Sequence, residues 1–212
     1  MHHIDFHFDV ISPYAHLAFQ ALPQALEGLS VTVTYKPVVF GAMLKHLGQL
    51  GPAEIAGKRD WTYRQVLWLA HQQGLDFKLP ASHPFQSLAL MRLATACDPD
   101  GHPNRHVVGQ LFDHVWTTGL EAADPARLAA LTAQLKPERD PQSDAVKQQL
   151  RESTEAALAA GVFGVPAMTV QGQVFWGNDA LPMLRAYLQG DAWFQRSDWE
   201  SVRQWPVGIQ RR

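Results

Sequence analysis

Residues 4–14 read Ile4-Asp5-Phe6-His7-Phe8-Asp9-Val10-Ile11-Ser12-Pro13-Tyr14. Apolar residues occupy every second position from Ile4 to Val10 with polar residues between them, and this alternation predicts a β-strand. The Ser12-Pro13 pair favours the start of a helix, because serine accepts hydrogen bonds from free backbone N–H groups and proline has φ preset for the first helical turn. The stretch therefore predicts a strand that leads directly into a helix capped by Ser12.

The residues after this turn complete a β-α-β unit. An apolar stripe at helical spacing is formed by Leu17, Leu22 and Leu26, and Gly28 ends the predicted helix. Alternation with threonine then predicts a second strand through Val31, Val33 and Tyr35. Two strands joined through a helix lie parallel in a sheet, so we expect a parallel pair.

The long middle of the chain lacks strand patterns. Helical periodicity, broken by turns of proline, glycine and aspartate, predicts helices around residues 40–47, 60–73, 84–97, 104–118, 125–135 and 142–160. We therefore interpret this part of the chain as a helical block.

Strands return after the helical block. Residues 167–170 and 174–176 predict a hairpin, because Gly172 between them readily takes the positive φ of a tight turn. Asn178 and Asp179 favour the start of a closing helix. The order β-α-β, helical block, β-β-α predicts an α/β thioredoxin-like fold with a large all-helical insertion.

This order divides the chain into two predicted domains. Residues 1–36 and 162–212 form the thioredoxin-like domain, and residues 37–161 form the helical insertion domain. The tail after Gly190 carries three tryptophans that we expect to hold the C-terminus against the body: Trp193, Trp199 and Trp205.

Composition excludes several classes of protein. The chain has 212 residues, of which 46% are hydrophobic and 18% charged, as is typical of a globular protein with a core of ordinary size. A net charge of −2 without runs of lysine or arginine disfavours nucleic acid and anionic membranes as partners. No export signal or membrane-spanning stretch is visible, so we expect a cytoplasmic protein. The ten histidines are scattered without metal-ligand spacing, and no metal site is predicted.

The single cysteine, Cys97, limits the redox chemistry. One cysteine excludes an internal disulfide and a C-x-x-C dithiol. Cys97 lies at the end of a predicted helix, far in sequence from Ser12, and we expect an inert, partly buried side chain.

Ser12 occupies the position where a thioredoxin-type fold keeps its reactive group, at the N-terminus of the first helix. A serine hydroxyl is a weak nucleophile without an adjacent base, and the approach of His16, one turn on, is unfavourable. From these residues alone, Ser12 is either an ordinary helix cap or a functional residue.

A second element precedes the third strand, Gly161-Val162-Phe163-Gly164-Val165-Pro166. In thioredoxin-type folds the proline before this strand is usually cis and faces the active helix terminus. The preceding residue then has its backbone N–H and C=O free to pair with a peptide-like ligand, and we expect this of Val165.

Three segments together resemble one family: residues 8–14, Gly164-Val165-Pro166 and Phe175-Trp176-Gly177-Asn178-Asp179. They are similar, in the same order and with similar gaps, to 2-hydroxychromene-2-carboxylate isomerase and its relative, the kappa-class glutathione transferase. This family is a serine-bearing branch of the DsbA-like thioredoxin superfamily and uses the thiol of glutathione. The resemblance extends over nearly the whole chain.

The resemblance implies glutathione as the cofactor. Ser12 would activate its thiol, and Val165 with cis Pro166 would bind the cysteinyl backbone. Its γ-glutamyl end would bind at Gly177, Asn178 and Asp179, with Asp179 against the ammonium group. Alternatively, Asn178 or Asp179 only caps the closing helix. Lys58 matches a lysine that approaches a glutathione carboxylate in the kappa relatives.

The resemblance also implies a substrate site. Lys45 would bind the substrate carboxylate, and Gln49 stands where the family usually has asparagine, one methylene shorter. A second possible anchor for the carboxylate is Arg92. Trp61, Trp68 and Phe40 would wall an aromatic substrate, although aromatic residues at helical spacing more often belong to a core.

The activity that the family implies is a glutathione-dependent cis-trans isomerisation. It converts 2-hydroxychromene-2-carboxylate, a small aromatic carboxylate, to trans-o-hydroxybenzylidenepyruvate in aromatic hydrocarbon catabolism. One alternative is a kappa-like glutathione transferase that acts on other electrophiles. Another is a non-catalytic protein of thioredoxin fold that binds glutathione or peptides. A homodimer is possible by analogy with the kappa relatives.

Overall fold

The computed structural model describes residues 1–209, and of Arg203 only the backbone. One sheet has the strand order β2-β1-β3-β4. Its strands are β1 (His2–Phe8), β2 (Val31–Pro37), β3 (Ala167–Val170) and β4 (Gln173–Trp176). β1 is parallel to β2 and antiparallel to β3, and β3 and β4 form an antiparallel hairpin. The predicted α/β thioredoxin-like fold is confirmed.

The helices follow the predicted order. They are α1 (Pro13–Ala25), α2 (Phe40–Leu47), α3 (Ala56–Gln72), α4 (Leu88–Ala96), α5 (Arg105–Trp116), α6 (Pro125–Leu135), α7 (Asp144–Ala159), α8 (Leu181–Leu188) and the short α9 (Ser197–Ser201). Single 3-10 turns are formed by Pro52–Glu54, Asn178–Ala180, Ala192–Gln195 and Val202–Gln204. Within residues 1–209, every helix is too short or too polar to span a bilayer.

The helix predicted for residues 84–97 begins late, at Leu88. Residues 81–84 form bends around Pro84, which lacks the N–H group of a regular helix residue. Ser87 then directs its hydroxyl to Asp9, and the helix starts after this contact. The prediction of four further helical residues was therefore wrong.

Both faces of the central strand β1 are covered. Phe6 and Phe8 belong to the main hydrophobic core, which also contains Leu22 of α1 and Leu184 of α8. On the opposite face, Ala167 pairs with His7 and packs with Ala157 of α7. His7 is therefore buried although the alternation places it among polar residues.

The C-terminal tail is held by a residue other than the predicted tryptophans. Phe194 packs against Phe175 and Tyr187, at ring-centroid distances of 6.5 and 5.2 Å. The indoles of Trp193 and Trp199 stand nearly perpendicular to the Phe194 ring, each with a centroid distance of 5.2 Å. Trp205 is 74% exposed. The expectation for the tryptophans is thus corrected: Phe194 is the residue whose ring reaches the body.

The division into two domains stays a prediction. The main core contains residues of both predicted parts, among them Phe8 and Leu22 from the first and Phe112 and Trp116 from the second. The two parts therefore share one hydrophobic interior.

Buried histidines make the fold sensitive to acid. Burial lowers the pKa of His16 to about 4, and the same holds for His7, from an ordinary value of 6.5. Between these two pKa values only the unfolded chain binds the proton. The contribution of each histidine to stability is therefore fully present above pH 6.5 and is lost as the pH falls toward 4. The loss is about 3 kcal/mol for each histidine.

We expect His16→Phe to flatten this dependence. The melting temperature of the wild-type protein should fall more steeply from pH 6.5 to 4 than that of the variant, as followed by circular dichroism. The pKa of Asp9, raised to about 6 by burial, acts in the opposite direction in this range. It acts equally in both proteins and so cancels in the comparison. Equal slopes for the two proteins would contradict the expectation.

Candidate active site

Ser12 caps α1. Its Oγ accepts a hydrogen bond from the Ala15 N–H at 3.2 Å, and its backbone is extended, as an N-cap requires. The side chain is 7% exposed. The Tyr14 N–H donates to no acceptor within residues 1–209. The first turn of α1 therefore offers a free backbone donor and the positive end of the helix dipole beside the Ser12 hydroxyl.

His16 takes no part in this arrangement. Its ring lies in the core, 5.9 Å from the Phe77 ring and 5.5 Å from the Phe112 ring. No side-chain hydrogen bond joins His16 to Ser12 among the described residues, and burial lowers the pKa of His16 to about 4. This geometry agrees with the expectation that Ser12 and His16 do not form a catalytic pair.

Side chains of the helical block brace the two residues before Ser12. Trp116 Nε1–H donates to the Val10 carbonyl at 2.9 Å, and Met91 Sδ accepts from the Val10 N–H at 3.4 Å. His83 Nε2 donates to the Ile11 carbonyl at 2.8 Å. The backbone of this loop is therefore satisfied by partners that are distant in sequence, which restricts its conformation.

The Asp9 carboxylate also accepts hydrogen bonds that fix the backbone before Ser12. The Ile11 N–H donates to its Oδ1 at 3.1 Å. The Phe40 N–H and the Ser87 hydroxyl donate to its Oδ2 at 2.9 and 3.0 Å. Burial raises the pKa of Asp9 to about 6, and the three hydrogen bonds act against this rise.

The loop before β3 faces Ser12. The Val165–Pro166 bond is cis, and the Ser12 hydroxyl donates to the Val165 carbonyl at 3.2 Å. The Val165 N–H donates to no acceptor within the described residues 1–209. The expectation for Val165 is thus corrected in part: its N–H is free, whereas its carbonyl is bonded to Ser12.

The turn after β4 lies beside the same helix end. The Gly177 N–H donates to the Pro166 carbonyl at 2.9 Å, and the turn Asn178–Ala180 packs against α1. Gly177 has φ of 97°, and a Cβ at this position would overlap the Asp179 carboxylate. Asp179 is near enough to Tyr14 to raise the pKa of that phenol, after burial, which is the larger cause.

The alternative role of Asn178 and Asp179 as helix caps is wrong. The two residues form a 3-10 turn, and α8 begins only at Leu181, after Ala180 and without a side-chain cap. The Asn178 Oδ1 is buried without a hydrogen-bond partner in the part of the chain that is described. Both side chains thus keep acceptor oxygens available.

Lys58 lies farther out. It is exposed in the first turn of α3, two turns before Gln65. Gln65 accepts a 2.6 Å hydrogen bond from the Tyr14 hydroxyl, which links α3 to the N-terminal turn of α1. The structure shows no direct contact of Lys58 with Ser12 or the turn at Asp179.

Lys45 and Gln49 are at the far end of α2. Gly48 ends this helix with φ of 65°, and the Gln49 N–H donates to the Leu44 carbonyl at 2.9 Å. Both Lys45 and Gln49 side chains are exposed. Lys45 is five residues from Phe40, or about 7.5 Å along the helix axis. The structure therefore relates the predicted substrate residues to Ser12 indirectly, through α2 and its hydrogen bond to Asp9.

The remaining substrate candidates are dispersed. Arg92 is directed to Gln142, between α6 and α7, with Nη1 and Oε1 3.5 Å apart. Trp61 and Trp68 are 65% and 58% exposed, so the expectation of core tryptophans is wrong for both. Phe40 is partly buried against the cluster that contains Val165.

Cys97 takes no part in the candidate site. It follows the last turn of α4 and is partly buried. Burial, with a smaller contribution from Glu138, raises its pKa to about 11. The thiol therefore stays protonated near neutral pH and is a poor nucleophile.

Sequence patterns missed several residues of this site. Asp9 reads as an ordinary polar position of a strand, and His83 and Trp116 lie in the helical block without a motif. The aromatic pair Phe163 and Trp176, whose rings are 5.0 Å apart, also flanks the Val165–Pro166 loop and is partly exposed. The composition of the loop, Phe163 before Gly164, was the one available signal for this pair.

Comparison with known proteins identifies the relatives. The chain matches the family model of the DSBA-like thioredoxin domain over residues 3–189. It is 28% identical over 191 residues to a 2-hydroxychromene-2-carboxylate isomerase of Pseudomonas putida, which covers 86% of this chain and 92% of that protein. It is 28% identical over 210 residues to glutathione S-transferase kappa 1 of Homo sapiens, with coverage of 90% and 92%.

Solved structures agree with these relatives. A structure of 2-hydroxychromene-2-carboxylate isomerase is similar with a TM-score of 0.76 and 25% identity, over 93% of this chain and 98% of that chain. The resemblance inferred from the three segments is thereby confirmed, and the family match extends through both the thioredoxin-like and the helical parts. The chain belongs to the family of DSBA-like thioredoxin domains, and among its members it is similar to both isomerases and kappa-class glutathione transferases.

Proposed function

We propose that the protein is a glutathione-dependent isomerase that converts 2-hydroxychromene-2-carboxylate to trans-o-hydroxybenzylidenepyruvate. The observation that carries the proposal is the pairing of Ser12, at the N-terminus of α1, with the backbone of Val165. A serine at this place supplies a hydrogen-bond donor for a sulfur atom but no redox-active thiol. The similarity to isomerases over most of the chain supports the same reaction class.

The residues present fit glutathione. The free Val165 N–H suits the carbonyl of a cysteinyl backbone, since peptides pair with exposed backbone groups in this way. The buried Asn178 Oδ1, which has no partner among residues 1–209, is an acceptor for an N–H of the γ-glutamyl end. Asp179 adds a negative charge for its ammonium group, and Lys58 a positive charge for a carboxylate.

The Ser12 hydroxyl would change its acceptor on binding. It has one proton, which it donates to the Val165 carbonyl in this structure. A thiolate above α1 is the stronger acceptor because it is charged, and rotation about the Cβ–Oγ bond turns the hydroxyl proton toward it while Oγ keeps the hydrogen bond from the Ala15 N–H. The Val165 carbonyl is then released to accept an N–H from the ligand, so that each group keeps a partner.

When bound, glutathione would supply the thiolate that adds to the conjugated substrate, allows the ring C–O bond to open to phenol and ketone and the former double bond to rotate, and then leaves as thiolate. Ser12 and the Tyr14 N–H stabilise the negative charge on sulfur before addition and after departure. A hydrogen bond to a charged group contributes about 1.5–3 kcal/mol, which lowers a thiol pKa by about one or two units. Lys45 and Gln49 hold the substrate carboxylate in this proposal.

Turnover of 2-hydroxychromene-2-carboxylate tests the reaction. Its conversion should be followed by absorbance with and without added glutathione, on protein dialysed to remove small thiols. We expect conversion only when glutathione is present. A rate that is independent of glutathione would refute the mechanism.

A kappa-like glutathione transferase is the second candidate. The equal identity to the human kappa enzyme favours it, as does Gln49 in place of asparagine at the predicted substrate site. A transferase would leave the sulfur bonded to carbon, so absorbance and mass spectrometry together separate the two activities: conversion seen by absorbance without a change in mass supports the isomerase, and a stable glutathione adduct of an electrophile supports the transferase. A third candidate, a non-catalytic binder, predicts glutathione binding without either product.

We expect Asp179→Asn to weaken glutathione binding by about 2- to 5-fold, because an exposed ion pair contributes at most about 1 kcal/mol. Titration calorimetry would measure the effect. A glutathione analogue that lacks the amino group is the control, and it should bind both proteins equally. Equal weakening of both ligands would contradict the contact with the ammonium group.

A further inference from the structure

Asp9 is a buried carboxylate that the proposed reaction does not use directly. It has no exposed surface, and it accepts three hydrogen bonds from three separate segments of the chain. Its three donors are the Ile11 N–H before Ser12, the Phe40 N–H at the start of α2, and the Ser87 hydroxyl before α4. One side chain thus joins residues 9–12, here called the Ser12 loop, to the N-terminal ends of α2 and α4.

Among the hydrogen bonds of residues 1–209, those of Asp9 alone join the Ser12 loop to α2, whereas Phe40 and Met43 of α2 meet the site through apolar packing in the cluster that contains Val165. The other groups of the loop are bonded to His83, Met91 and Trp116, none of which belongs to α2. α2 carries Lys45 at its other end, and Phe40 is its first residue. Without the Asp9 carboxylate, no hydrogen bond within residues 1–209 would fix the position of the Ser12 loop relative to α2.

We propose that Asp9 is a positioning residue that holds the thiol-activating Ser12 and the substrate helix α2 in a fixed relation. The inference rests on the proposed function, because it assigns Ser12 to the thiol and α2 to the substrate. Asp9 itself touches neither ligand. It acts through the Ile11 N–H on one side and the Phe40 N–H on the other.

The chemistry of the three donors explains why a carboxylate is needed. Each oxygen of an ionised carboxylate accepts two hydrogen bonds, so both backbone N–H groups and the Ser87 hydroxyl are satisfied at once. An asparagine amide has one acceptor oxygen, and its NH₂ group would face either the Ile11 N–H or the Phe40 N–H. The two side chains are almost equal in size, so Asp9→Asn removes one acceptor with little change in volume.

Burial of a carboxylate is unfavourable because the group loses its hydration. The three hydrogen bonds compensate part of this desolvation energy. The pKa of Asp9 is raised by burial, and its hydrogen bonds to Phe40, Ile11 and Ser87 lower it again. No charged side chain contributes to this pKa. The ionised group is therefore held by neutral donors alone, and its role is geometric.

The experiment compares Asp9→Asn with the wild-type protein in two measurements. Ultraviolet absorbance of the bound thiolate gives the pKa of the glutathione thiol, and steady-state kinetics with 2-hydroxychromene-2-carboxylate separate kcat from KM. We expect the bound-thiol pKa to rise by about one unit and kcat to fall about tenfold, since the hydroxyl no longer meets the sulfur well. KM for the substrate should rise as well, because α2 is released.

Thr95→Val is the matched control. Thr95 is a buried hydroxyl residue of α4 that donates to the Met91 carbonyl at 2.9 Å and has no bond to Asp9. It should leave the bound-thiol pKa and both kinetic constants unchanged. A role of Asp9 in stability alone would change the melting temperature and leave the bound-thiol pKa at the wild-type value, and that result would overturn the proposal.

A second variant covers the case in which Asp9→Asn does not fold. Ser87→Ala removes one donor to Asp9 and leaves the backbone bonds intact, so we expect changes in the same direction but about two- to threefold in kcat. Identical behaviour of Ser87→Ala and Thr95→Val would then overturn the proposal. Ser12→Ala distinguishes this outcome from failure of the proposed function: if Ser12→Ala also leaves the bound-thiol pKa unchanged, the proposed function itself is wrong.

Discussion

Ser12→Ala should reduce the rate of glutathione-dependent isomerisation about 10- to 100-fold while glutathione still binds. The variant loses the one side-chain hydrogen bond that the proposal assigns to the sulfur, which contributes about 1.5–3 kcal/mol. The bound-thiol pKa should rise by about one or two units, so that less thiolate is present at neutral pH. The rate at high pH should approach that of the wild-type protein, because the thiol ionises there without help.

The same substitution removes a helix cap, and this effect needs its own control. Ser12 caps α1 through the Ala15 N–H, and loss of a cap destabilises a protein by about 1 kcal/mol. Ser143 caps α7 in the same way, through the Val146 N–H, and lies outside the site. Ser143→Ala should therefore lower the melting temperature by a similar amount without a change in rate. If the two variants lose activity equally, Ser12 is only a cap.

Trp116→Ala should destabilise the protein by about 3–5 kcal/mol, the range for loss of a buried tryptophan. The indole has no exposed surface, stacks on Phe77 at 5.4 Å with an interplanar angle of 13°, and donates to the Val10 carbonyl. For a chain of this length, the melting temperature should fall by roughly 6–20 °C. Urea unfolding, followed by far-ultraviolet circular dichroism, measures the free energy directly.

Trp116→Phe separates packing from the hydrogen bond. Phenylalanine keeps most of the ring contact but leaves the Val10 carbonyl without its donor, which should destabilise the protein by about 1–3 kcal/mol. This variant should also lower the isomerisation rate, because Val10 lies two residues before Ser12. A destabilisation of Trp116→Ala by less than about 1 kcal/mol would contradict the packing of this side chain.

The thioredoxin-like core was predictable because its signals are local. Alternation identifies β1, the Ser12-Pro13 pair begins α1, and Gly172 between two short strands indicates the hairpin, in which Gln171 and Gly172 both have positive φ. The order of these elements then predicts that Ser12 and Val165 meet, although 153 residues separate them. The order of strands and helices was therefore enough to predict the meeting of Ser12 and Val165.

The supporting residues were not predictable in this way. Alternation says that Asp9 shares a face with His7, but not that Ser87, 78 residues away, covers it. For Trp61 and Trp68, spacing suggested a buried stripe, yet α3 buries Thr62, Val66 and Ala70 instead. These smaller residues also recur every four positions, and they allow a closer approach of the neighbouring helix than tryptophan does. Periodicity defines the faces of a helix, whereas the partner decides which face is buried.

The substrate residues depend most on the resemblance. Lys45 and Gln49 are exposed at the end of α2. Their backbone geometry explains how the helix ends and gives no separate indication of a substrate. Their assignment stays a prediction that the substrate kinetics of the Asp9 and Ser12 variants will test indirectly. The predicted glutathione residues differ in this respect, because the structure places Ser12, Val165, Pro166, Gly177 and Asp179 around the N-terminus of α1.

The central claim is that Ser12 and the N-terminus of α1 activate the thiol of bound glutathione. Ultraviolet titration of glutathione bound to the wild-type protein tests it most directly, since the thiolate absorbs and the thiol does not. We predict a bound-thiol pKa of about 6.5–7.5, one or two units below the ordinary value of about 8.5, and a return toward the ordinary value in Ser12→Ala. A bound thiol that titrates at its ordinary pKa in the wild-type protein would contradict the claim.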